Sequence, residues 1–334
     1  MADVSHFVVK EVVTSRARSD TSSDVPIYIG GDEIGVLCLL KGVQAEVASL
    51  TDHRYAALLH ESAGLAMTAD LYKFSGDYVV IERERLEEYN IHQATSAFWG
   101  QYLHADQANF PGGVDISEQE RIVVDERALI LTPRHFESLA KYAAYGRSTD
   151  RFLFLYHFIE IDFEREFIRR IKQIDENGSY GVSRVLKDLG GNEELPRLVA
   201  LIAGMSTTGL ERCANVLRRH FDVAESVFYE FGKESNPIKE RADFRAYFRD
   251  CPTVSNFAFT EFKRANGSIT LNFSQRYEEN LKKVCAYWIY RVRCCIAHNK
   301  MGEYHMMTAS DMSFLDEFAL PMLREMVSYR MGVI

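Results

Sequence analysis

Tyr290-Arg291-Val292-Arg293-Cys294-Cys295-Ile296-Ala297-His298-Asn299-Lys300 closes a long apolar segment near the C-terminal end of the chain. Ser274 is placed to cap a helix running from about Arg276 to His298, roughly 34 Å long at 1.5 Å per residue. On such a helix Arg293 and His298 are five residues apart, about 140° of rotation. Their side chains leave from different faces, so the long arginine stem must supply the reach. His298 sits at the helix C-terminus, where the macrodipole favours a protonated imidazole. Arg291 precedes and Asn299 and Lys300 follow, so a phosphate at this end would meet several donors. The chain has 27 arginines and 10 histidines, and chance alone supplies about one pair at this spacing. What distinguishes the pair is its place at the end of a long helix.

Working outward from this helix, the hydrophobic pattern has helical period from Thr132 onward. Thr132-Pro133 is a helix start, with Thr as N-cap and Pro at the first helical position; Leu139, Tyr142 and Ala143 follow at helical spacing. Phe152, Leu155, Tyr156, Ile159, Phe163, Phe167 and Ile171 form one face of a helix from Phe152 to Ile174, which Asn177-Gly178 ends. Leu210 to Phe231 and Arg241 to Phe248 also read as helices. Ser310 is expected to cap a last helix, Asp311 to about Arg330, in which Pro321 should cause a kink or a break.

Residues 1–130 read as mixed. Phe7 to Val13, Ile27 to Ile29, Val36 to Leu40 and Tyr78 to Ile81 have strand composition, and Val43 to His60 has a helical pattern. Ile122-Val123-Val124 and Leu129-Ile130-Leu131 look like paired strands around Asp125-Glu126-Arg127. The expected class is α+β, with a mixed domain of unknown type over residues 1–130 and an all-helical domain over residues 131–334.

Net charge is −9, which argues against broad adhesion to nucleic acid while leaving room for a small basic pocket. No apolar run approaches the roughly 18 residues of a spanning helix. The N-terminus lacks the basic-then-apolar order of a secretory leader, and the scatter of the six cysteines fits reduced thiols. Together these predict a cytoplasmic protein. The adjacent Cys294-Cys295 reads as helix packing.

Gly30-Gly31-Asp32-Glu33 is turn chemistry and predicts a tight hairpin. The other reading is a nucleotide-handling loop in which Asp32 and Glu33 bind metal. Gly204-Met205-Ser206-Thr207-Thr208-Gly209 reads as a loop and helix cap. His298, Glu303 and His305 lack the spacing of a metal site, and no metal or cofactor is expected. Arg218-Arg219-His220 and Arg169-Arg170 read as solvated helix faces, and remain candidate edges of a binding groove.

Arg293 to His298 resembles the arginine–four residues–histidine signature of the HEPN superfamily, small helical ribonucleases of toxin, antiviral-defence and RNA-processing systems. Arg151-Phe152-Leu153-Phe154-Leu155-Tyr156-His157-Phe158-Ile159-Glu160 is similar to an early helix of that superfamily. The likeness covers roughly residues 133–330. It departs at Cys294, where many members have a polar residue, and at Lys300, where some toxins have tyrosine. The resemblance implies an HEPN-like helical bundle and a metal-independent endoribonuclease. In it, His298 acts as general base or acid for attack of the RNA 2′-hydroxyl, and Arg293 holds the phosphate. It implies a homodimer that pairs two such motifs, with Glu160 orienting Arg293 or His298. The N-terminal domain would then recognise a trigger or restrain activity. The competing reading is a non-catalytic interaction module in which Arg293 and His298 only stabilise a dimer.

Overall fold

The computed structural model describes residues 4–14, 24–62, 70–104, 121–126, 128, 132–172, 194–232, 235–249, 277–297 and 303–332. The class is α+β, and the chain divides into two compact units, Met1–Arg147 and Ser148–Ile334.

The first unit is built on strands β1 (Phe7–Thr14), β2 (Val25–Ile29) and β3 (Asp32–Cys38). Next come β4 (Gln44–Glu46), helix α1 (Asp52–Glu61), β5 (Leu71–Lys73) and β6 (Asp77–Glu82). Helices α2 (Leu86–His92) and α3 (Ser96–Trp99) lead to β7 (Tyr102–His104). β8 (Ile122–Val123) and α4 (Pro133–Ala144) complete the unit. Six strands form one sheet in the order β7-β1-β6-β3-β2-β8, and β4 pairs with β5 separately. Every pairing in the large sheet is antiparallel except β2 with β8.

Local chemistry explains the turns. Gly30 and Gly31 have φ of 59° and 98°, and Ile29 pairs with Asp32 across them. A two-residue hairpin needs positive φ at both central positions to follow the strand twist, and glycine supplies it without strain. The expected tight hairpin is therefore the form these residues take. Gly35 answers a different need. A Cβ there would lie 2.2 Å from the carbonyl oxygen of Val80 on the neighbouring strand. Gly35→Ala should force β3 away from β6 and cost about 1–3 kcal/mol, the usual scale of overpacking. A thermal melt of the variant that matches the wild type would contradict this.

One sequence expectation changes here. The helical pattern from Val43 does not start a helix: residues 44–46 pair with β5, residues 47–49 make a 3-10 turn, and α1 begins only at Asp52. The cause is Thr51, extended at φ −66° and ψ 162°, whose side chain accepts the Arg54 N–H and so sets the cap inside the periodic run. Ile122-Val123 pairs in parallel with β2; residues 129–131, their expected partners, lie outside the described residues.

α1 lays Ala56, Ala57 and Leu58 on a core of Val36, Cys38, Leu40, Phe74, Tyr78 and Val80. Thr132 caps α4 as expected, accepting the His135 N–H, with Pro133 at the first helical position. α4 packs on α3 and β7, so the first unit ends at Arg147, later than the residue-130 boundary.

In the second unit every described element is helical. α5 (Ser148–Lys172) is followed by α6 (Glu194–Leu201) and α7 (Thr207–Val216). Ser206 caps α7 by accepting the Thr208 N–H. The chain continues through a 3-10 turn, α8 (Phe221–Glu225) and a wider π turn at Ser226–Glu230. α9 (Arg241–Phe248) has the bounds the sequence predicts. α10 (Tyr277–Ala297) is the long helix of the opening motif; Ser274, its expected cap, lies outside the described residues. α11 (Ala309–Phe314) and α12 (Leu320–Gly332) close the chain.

Thr308, not Ser310, caps α11, because Thr308 and Asp311 satisfy each other's backbone N–H groups in a capping box. Pro321 does not break the last helix. A π turn at Leu315–Ala319 precedes it, and the wider turn moves aside the carbonyls that the proline ring would strike.

Aromatic packing fills the second unit. Trp288 stacks on Phe228 at 5.6 Å and meets Phe318 edge-on at 5.9 Å. Arg330 on α12 donates to the fully buried Asp162 on α5 at 2.8 Å. Arg241 and Arg245 on α9 both bind Glu225, and together hold its carboxyl down at about 2. An unfolded glutamate titrates near about 4.3. The folded pKa is depressed, so the linked stability is present above the unfolded value and is lost as pH falls towards about 2. Glu225→Gln should therefore show a shallower loss of melting temperature between pH about 5 and 2. Equal acid slopes for variant and wild type would contradict it.

Candidate functional site

Arg293 lies on the last turn and a half of α10, where three helices converge. Its Nη2 donates to Glu160 Oε1 on α5 at 3.1 Å, and its Nε lies 3.3 Å from Glu194 Oε1 at the start of α6. The guanidinium carbon stands 5.9 Å from the centre of the Tyr156 ring, close enough for a cation–π contact. Tyr156 and Glu160 are one helical turn apart on α5, the spacing that puts both on one face. The acid that Glu194 adds comes from a different helix.

The cluster is partly covered. The side chains of Arg293, Glu160 and Glu194 are 21 %, 31 % and 22 % exposed. Burial opposes the charge of Arg293, but Glu194 and then Glu160 outweigh it and raise its pKa. Burial, with Glu194 adding to it, also holds the Tyr156 phenol well above its usual range. Tyr156 therefore stays protonated and offers a ring face, not a negative charge. The second Glu160 oxygen lies 3.7 Å from His157 Nε2. One carboxylate thus stands between a guanidinium and a half-exposed imidazole.

Arg291 does not share this site. Two residues along a helix is about 200° of rotation, and Arg291 is fully buried. It donates to the Phe231 carbonyl oxygen at 2.5 Å and to Glu303 Oε2 at 2.6 Å. Arg291 is therefore a core cation and no phosphate donor. Cys294 and Cys295 are buried, as packing residues should be, and burial pushes the Cys295 thiol up to about 12. His298, Asn299 and Lys300 lie outside the described residues.

The other candidates do not gather. Asp32 lies 3.5 Å from Arg85, while Glu33 accepts the Tyr28 hydroxyl at 3.2 Å, so the two acids serve separate partners. Among the described residues no three His, Cys, Asp or Glu side chains converge as a metal would require. Arg219 and His220 each lie 3.3 Å from Glu317; the side chains of Arg169 and Arg170 are outside the description. No described helix is long and apolar enough to cross a membrane.

Sequence reasoning nominated Glu160 and Arg293, and these meet. It missed Tyr156, His157 and Glu194 as members of the cluster. The first two stand in the quoted α5 stretch, where turn-by-turn spacing from Glu160 could have found them. Glu194 has no local signal. No protein-family model matches the chain, and no curated protein or solved structure matches it either.

Proposed function

We propose that the chain is a metal-independent endoribonuclease of HEPN type, acting as a cytoplasmic defence or toxin effector. Its second unit is taken as an HEPN-like helical bundle. One observation carries the reading: Arg293, five residues before His298 near the end of the long C-terminal helix, is fixed by Glu160 of the similar early helix. An aimed guanidinium can bind the scissile phosphate and stabilise the charge that grows on it in the transition state. His298 then moves the proton at the 2′-hydroxyl. Two copies of the chain are proposed to bring their motifs together in a homodimer, and the first unit to sense a trigger.

A second reading has its own observation. Arg293 lies against two carboxylates, so one positive charge meets two negative ones before any phosphate arrives. That suits a non-catalytic interaction module in which the arginine only ties helices together. The two readings separate on labelled RNA with the full-length protein in EDTA. The ribonuclease reading expects cleavage by wild type, none by His298→Ala, and the same dimer mass for both. The module reading expects no cleavage by either, and weakened dimers in the variant.

A further inference from the structure

Donors from two parts of the second unit converge on one carboxylate that the ribonuclease reading does not use. Arg219 and His220 end the 3-10 turn Leu217–His220. Glu317 stands in the π turn Leu315–Ala319, one turn after Ser313 of α11. The Ser313 hydroxyl donates to Glu317 Oε1 at 2.9 Å. Arg219 Nη1 and His220 Nε2 each lie 3.3 Å from the other oxygen, Oε2. The Ser313 hydroxyl, then His220 and Arg219, hold the Glu317 carboxyl below its usual range against the opposing effect of burial. The His220 side chain is only 9 % exposed, and its ring meets Phe314 edge-on at 6.1 Å. Among the described residues its Nε2 makes no hydrogen bond. One oxygen thus stands between two cationic side chains and gives the buried one no hydrogen bond. Glu317 and Arg219 are more open, 42 % and 67 % exposed.

These four side chains line an open hollow of about 680 Å³, within the roughly 300–1,000 Å³ of small-molecule sites. We propose that the hollow binds the phosphate group of a small phosphate monoester, and that Glu317 holds the anion's place until the ligand arrives. When Glu317 turns out to solvent, Arg219, His220 and Ser313 are left facing one position. A phosphate group there offers more acceptor oxygens than the carboxylate it replaces, and a fork for the guanidinium. Charge changes in the same direction. Arg218 and Asp222 also line the hollow and offset each other. With Glu317 in place Arg219 is offset too; with Glu317 turned out, the positive charge of Arg219 is left for the ligand. Inorganic phosphate fills only part of this volume, so the space fits a ligand with an organic portion, such as a nucleoside monophosphate.

Calorimetric titration of the full-length protein in a chloride buffer tests this, with adenosine 5′-monophosphate, inorganic phosphate and adenosine as probes. The wild type should bind the monophosphate and not adenosine. Tighter binding of the monophosphate than of inorganic phosphate supports the whole proposal. Equal binding of the two supports the phosphate site and overturns the organic portion. Glu317→Gln keeps an acceptor for Ser313 and removes the competing charge, and should bind about 10-fold tighter. Arg219→Gln changes a side chain that is mostly in solvent, so it should melt close to wild type. It should bind about 10–100-fold more weakly, the loss of one hydrogen bond to a charged group. Unchanged affinity in both variants, or no binding by either the wild type or Glu317→Gln, would overturn the proposal. Binding here is read without RNA cleavage, so neither result bears on the ribonuclease reading.

Discussion

Arg293→Ala is expected to slow RNA cleavage by about 10²–10³-fold, the loss seen when a preorganised charge-stabilising donor is removed from an active site. The guanidinium is held by two carboxylates and an aromatic face, so its orientation is set before substrate binds. Arg293→Lys keeps the charge and loses the fork, and should recover only part of the rate. Fold is the control. The ion pairs are partly solvated, and such pairs contribute about 0–1 kcal/mol each. Removal also leaves Glu160 facing Glu194. A drop of a few degrees in melting temperature is therefore expected, far too little to explain the rate. A variant that melts much earlier and cleaves in proportion to its folded fraction would favour the structural role.

Glu303→Ala should have the largest effect on stability, about 3–5 kcal/mol, because it leaves a buried arginine without its counter-charge. Arg291 has no exposed side-chain surface. Its Nε and Nη1 are buried without a hydrogen-bond partner, so Glu303 and one carbonyl carry the compensation. For a unit of this size each kcal/mol moves the melting temperature by about 2–4 °C, hence a fall of about 10 °C. The double variant Arg291→Met with Glu303→Gln should melt close to wild type, since replacing both charges removes the desolvation penalty as well. If Glu303→Ala and the double variant are equally unstable, the buried charge is not the cause.

What could be read in advance was what is decided locally. The Gly30-Gly31 hairpin, the Thr132-Pro133 helix start and the bounds of α9 depend on residues within a turn of each other, and they form as expected. The failures share a cause. Thr51 outcompetes a good hydrophobic period with one cap, and the π turn before Pro321 absorbs a clash that a regular helix could not. Arg291 was misassigned by adjacency in sequence, although helical rotation alone puts it on the opposite side from Arg293. Glu160 could be named because it lies on α5, a helix that the hydrophobic period already marks. Glu194 could not, because only packing of α6 against α5 and α10 brings it to the cluster.

The central claim is chemical, and end-group analysis of RNA incubated with the full-length protein in EDTA tests it most directly. The account predicts fragments ending in a 2′,3′-cyclic phosphate, with 5′-hydroxyl partners, formed about 10²–10³-fold more slowly by Arg293→Ala. Intact RNA with the wild type, or the same fragments in the same yield from Arg293→Ala, would contradict it.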